Sequence, residues 1–110
     1  MEEISDSGKL RNAIAVIEGC AESILTEDEN RNAVQIQILT ELMGIILPII
    51  INDYERPEFA GRSEEIPIWV DLARQLTEIL AGDDSFAKTD FLLMVLIPDI
   101  EEHIMRRDLQ

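Results

Sequence analysis

The chain has 110 residues, with 23 Asp plus Glu against 9 Lys plus Arg and a formal net charge of −14; 46% of it is apolar, dominated by 17 Ile and 12 Leu. One cysteine and one histidine exclude an internal disulfide framework and a Cys-rich zinc module. The apolar share excludes a disordered acidic tail, and the charge argues against direct nucleic-acid binding, which needs Lys and Arg to replace phosphate counterions.

The length is that of a single domain, 1–110. Residues 1–6 read as a flexible, acidic N-terminus, the reverse of a signal peptide's basic and apolar start. Cys20 falls in an apolar helical pattern and reads as a buried thiol. A cytoplasmic location is the resulting expectation.

A first helix is predicted over 7–26, because Leu10, Ala13, Ile14, Ile17, Cys20, Ala21, Ile24 and Leu25 recur at three- and four-residue steps. Asp6 or Ser7 would cap it. The break at Thr26-Glu27-Asp28-Glu29-Asn30 places carboxylates at the start of the next helix, where the dipole favours them. That second helix is predicted over 29–52, with Val34, Ile38, Leu39, Leu42, Met43, Ile46 and Ile50 as its main stripe. Pro48 should kink or end it. Between Asn32 and Asn52 the only charge is Glu41, and a 19-residue window averages about 2 in hydropathy, within the range of membrane-spanning helices. The acidic flanks and the central carboxylate favour a core or interface helix over a span.

Residues 53–63 carry Pro57 and Gly61, lack a clean period, and read as the long loop between two hairpins. A third helix is expected from Ser63-Glu64-Glu65 through Ile66, Trp69, Val70, Ala73, Leu76, Ile79 and Leu80, with Gly82 beyond its end. Asp83, Asp84 or Ser85 caps a fourth, through Phe86, Phe91, Leu92, Val95, Leu96, Pro98, Ile100 and Ile104. No strand pattern survives. The fold expected is all-α, a four-helix bundle, readable as two tandem hairpins with Pro-kinked second helices. The stretches around Pro48 and Pro98 echo one another weakly.

Chemistry is sparse. Asp99, Glu102 and His103 share a helical stretch that would allow a metal or a carboxylate-oriented imidazole, but no second histidine supports it, and a surface histidine is the simpler reading. Cys20 has only His103 as a conceivable base. Glu41 either faces water beside Gln37 or needs a buried partner. No phosphate loop, serine elbow or zinc spacing occurs, and no motif reaches the level of a family resemblance. The expectation is therefore a protein without catalytic residues, cofactor or metal.

Segments 42–51 and 91–97 are apolar on all sides and hard to wrap in a bundle this small, so a homodimer or a docked partner is expected there. The functional expectation is a small binding protein, immunity- or inhibitor-like, that covers a basic partner protein, with neither nucleic acid nor membrane involved. A homo-oligomer without a basic client and a small metal- or ligand-binding bundle are the alternatives. Candidate contacts are Glu27, Asp28 and Glu29, the loop residues Tyr54, Arg56, Phe59 and Arg62, and the Asp83-Asp84 turn.

Overall fold

Each of the four apolar stripes becomes a helical rod. The computed structural model describes residues 5–26 and 29–108, with backbone alone over 29–32. Rod one is α1 (Asp6–Thr26), and rod two is α2 (Glu29–Asp53). Two short 3₁₀ turns, Pro57–Phe59 and Ser63–Glu65, lead into α3 (Ile66–Ala81). The last rod is continuous: α4 (Ser85–Phe91), a π-helical turn (Leu92–Leu96) and α5 (Ile97–Asp108). The fold is all-α, with no strand among the described residues.

α1 packs against α2 on one side and the α4–α5 rod on the other, while α3 closes the ring against α2 and α4. End contacts fix the directions. Arg107 of α5 reaches Ser7 of α1, Thr89 of α4 donates to the Ala21 carbonyl, and Trp69 in α3 meets Tyr54 just past α2. Successive rods therefore alternate up and down. The core runs along the axis through Leu10, Ile17, Ile24, Ile46, Ile50 and Leu96. The Cα trace measures 45 × 36 × 19 Å, flat for a four-helix bundle, so each rod keeps more outward surface than square packing would leave it.

Local chemistry explains the boundaries and several departures from expectation. The cap of α1 is Ser5, whose Oγ accepts from the Gly8 amide at 3.0 Å, in place of Asp6 or Ser7; both of those side chains are drawn to Arg107 instead. Ser5 and Asp6 are thereby tied in, and the remainder of the expected flexible terminus, 1–4, lies outside the described residues. Asp84 caps α4 by accepting from Ala87 N at 3.1 Å.

Pro48 does not end α2, which continues to Asp53. Pro98 is accommodated differently. The π turn just before it bonds Ile97 N to the Leu92 carbonyl, a wider step that relieves the clash a proline ring makes with the preceding turn. Gly82 ends α3 with φ −81° and its amide on the Ile79 carbonyl, not in the left-handed region. Gly61, at φ 79°, is the one residue of the long loop that needs glycine's freedom.

The α2 stripe is narrower than expected. Leu39, Met43, Ile46 and Ile50 are buried, but Val34 and Ile38 face outward, because along most of its length α2 packs chiefly against α1 and α3 and meets α5 through Asp53 at its end. Residues 33–53 are long and apolar enough, by length and composition, to cross a membrane, with a mean hydropathy of 2.0. Here Leu39, Met43, Ile46 and Ile50 of that stretch join the core, and its last residue, Asp53, enters a buried ion cluster.

Candidate functional site

His103 is not a surface histidine. It is 2% exposed, because positions 96, 100, 103 and 107 form one inward stripe of the last rod. Its Nε2–H donates to Asp53 Oδ2 at 2.8 Å, across fifty residues of sequence. Arg107 Nε donates to the same oxygen at 2.6 Å, and Arg107 Nη1 to Ser7 Oγ at 2.5 Å. Arg56 stands 3.8 Å from the other Asp53 oxygen. Three rods and the following loop are thus joined at one end of the bundle by a buried carboxylate shared between an imidazole and a guanidinium.

Aromatic rings surround this cluster. Phe59 stacks on His103 at 4.8 Å between centroids, Trp69 meets it edge-on at 5.6 Å, and Tyr54 lies 5.9 Å away. Trp69 Nε1 donates to the Tyr54 hydroxyl at 2.9 Å, which donates to Glu65 Oε1 at 3.0 Å. Arg62 and Arg106 also hold Glu65. A cavity of about 310 Å³ opens beside Trp69 and His103, bordered by Asp99, Glu102 and these arginines.

The electrostatics follow from burial. Desolvation holds the His103 imidazole below its ordinary value despite the Asp53 carboxylate, and the charges of Arg107 and Arg106 push the same way. The ring is therefore neutral at pH 7, with Nδ1 lacking a partner among the described residues. Burial raises Tyr54 to about 12, helped by Glu65 and opposed by the Trp69 bond. Burial works against ionisation of Glu65, yet the bonds from Tyr54 and Arg62 and the Arg106 charge outweigh it and hold the carboxyl below its ordinary range.

A His–Asp pair is half of a nucleophilic apparatus, but among the described residues no Ser, Thr or Cys is hydrogen-bonded to His103. Cys20 is buried in α1, its thiol pushed up by desolvation. Nor do three His, Cys, Asp or Glu side chains converge as metal ligands among the described residues; His103 lines the same cavity as Asp99 and Glu102, but its Nε2 is committed to Asp53. These bonds tie α1, α2 and α5 together at this end of the bundle.

The expected contact residues are scattered. Phe59 is fully buried in the aromatic cluster, and Tyr54 is largely buried there but lines the adjoining cavity; sequence patterning missed this burial because the partners that cover them lie farther along the chain. Arg56 pairs with Asp53 and Glu58, and Arg62 is exposed and held by Glu65. Asp83 and Asp84 are exposed at the opposite end of the bundle. Glu27 and Asp28 lie outside the described residues, and Glu29 opens α2.

The structure instead exposes large apolar side chains, among them Leu25, Phe86 and Val95, which the helical stripes had assigned to the core. Phe86 is 77% and Met94 69% exposed, with Leu25 and Leu93 also open to solvent. These four, with Thr89 and Asp90, line one cleft. Ile45 in segment 42–51 and Leu93, Met94 and Val95 in segment 91–97 are likewise exposed. Glu41 faces water and accepts from Gln37 Nε2 at 3.3 Å.

None of the protein-family models, curated proteins or solved structures compared with this chain matches it.

Proposed function

We propose that the protein acts by binding and covering a basic partner protein in the cytoplasm, as an inhibitor or immunity protein does, without chemistry of its own. One observation carries this reading. Each of the six arginines with a described side chain is already paired with a carboxylate of the same chain. The exposed carboxylates left without a base among the described residues, such as Glu18, Glu22, Asp83, Asp90 and Glu101, are interleaved with large exposed apolar groups. Such a surface attracts a cationic partner at long range and holds it by apolar contact at short range.

The test is capture of partners from an extract of the native host, followed by association kinetics at low and moderate salt. The expected result is a basic protein whose on-rate falls steeply with salt. An on-rate indifferent to salt contradicts the proposal.

A homodimer is the second reading, favoured by one feature. The outward stripe of α2, with Val34 and Ile45 each 56% exposed, carries Glu41 as its one charge among the described side chains, so two copies would meet there with little repulsion. A concentration-dependent mass in sedimentation, insensitive to salt, supports that alternative.

A further inference from the structure

The C-terminal turn of α1 and the outer face of the α4–π rod enclose a cleft of about 240 Å³, walled by Leu25, Phe86, Leu93 and Met94. Phe86, Asp90 and Met94 follow one another at four-residue steps, so they form a ridge along one face. A contiguous apolar patch of this kind, bordered by charge, is a common mark of an interaction site.

The border is acidic. Asp90 lies in the cleft lining, and Glu22 stands one turn before Leu25 on the same face of α1. Lys88, the cation of α4, is buried. Arg74 of α3 is held by Asp71 and Glu78.

We propose that this cleft is the docking groove for an amphipathic helix of the partner protein, presenting an apolar stripe to Phe86 and Met94 and Lys or Arg side chains to Asp90 and Glu22. The inference rests on the binding function proposed above and adds the place and the kind of segment. A helix fits better than a strand, because the groove walls are helices whose backbone groups are already paired and offer no sheet edge to extend. A second copy of this chain fits worse, because it would bring the same acidic border and no unpaired arginine among its described residues.

The probe is a synthetic amphipathic Leu/Lys helix of about 18 residues, with a Leu/Glu peptide of the same pattern as its control, titrated into the full chain by calorimetry. Phe86 and Met94 are exposed, so the F86S/M94S variant keeps the fold, which an unchanged urea midpoint verifies. The expected result is saturable binding of the Leu/Lys peptide, weakened at least about thirtyfold in that variant and also weakened by Asp90→Lys. Equal binding of both peptides overturns the acidic selection, and undiminished binding by F86S/M94S overturns the groove. A wild-type dimer that F86S/M94S converts to monomer overturns the inference in favour of a second copy. Host partners captured equally by wild type and F86S/M94S overturn the groove but leave the binding function standing; failure to capture any partner counts against the binding function itself.

Discussion

Replacing Asp53 by alanine should be among the most damaging single changes available. Its Oδ2 accepts from His103 Nε2 at 2.8 Å and from Arg107 Nε at 2.6 Å, with every partner largely buried. In Asp53→Ala the Arg107 guanidinium keeps only the Ser7 hydroxyl and the half-exposed Asp6 carboxylate at 3.6 Å, while His103 is left with neither ring nitrogen paired. Breaking a buried pair in this way costs about 3–5 kcal/mol, against a total stability of about 5–15 kcal/mol for a domain of ordinary size. Asp53→Asn keeps the shape and one acceptor oxygen, and should lose roughly half as much. Urea unfolding, followed by far-UV circular dichroism and by the fluorescence of Trp69, measures both. A loss below about 1 kcal/mol in the alanine variant, the level of an exposed ion pair, would refute the idea that this cluster ties the rods together. Arg11→Ala, which removes the exposed pair with Asp108, is the internal control and should stay at that level.

Further outcomes follow from the same geometry. Because burial lowers the His103 pKa, the unfolded chain takes up a proton near pH 6.5 before the folded one does, so stability falls as pH drops through that value. His103→Gln should flatten this slope by up to about 1.4 kcal/mol per pH unit, read as the difference in urea midpoints between pH 7.5 and 5.5. Tyr54 is the only tyrosine, and its hydroxyl should ionise near about 12 in the native protein against 10.0 when free. Stability is then lost as pH rises above 10, and ultraviolet titration of native and urea-unfolded protein checks both values. Cys20 is buried, so a thiol reagent should label it only at the rate of unfolding; fast stoichiometric labelling would show the α1 core to be open. Glu41→Gln should change stability by less than about 0.5 kcal/mol, as befits a water-facing carboxylate.

The rods themselves were legible from period and caps. The stripe of α1, the acidic cap at Asp84 and the turn before Ile66 all depend on neighbours within a few residues. What depended on distant partners was not. His103 looked like a surface residue beside Glu101 and Glu102, although its position three after Ile100 and four before Arg107 placed both polar groups on the buried face. Asp53 looked like the flank of an apolar segment, and its partner lies fifty residues on. Tyr54 and Phe59 looked like loop contacts until Trp69 and His103 were brought over them. Phe86 and Leu25 continued their helical stripes, but the flattened packing leaves no rod outside them. The two prolines in similar runs differ because only the run before Pro98 widens into a π turn.

The most direct measurement of the binding proposal is a backbone amide NMR spectrum of the full chain, recorded with and without the partner captured from the host. The expected result is a set of shifts centred on Leu25 and on Phe86 to Met94, collapsing as salt is raised, with the Tyr54–Trp69–His103 end unchanged. Shifts centred on that aromatic end, or on the outward stripe of α2, would contradict it.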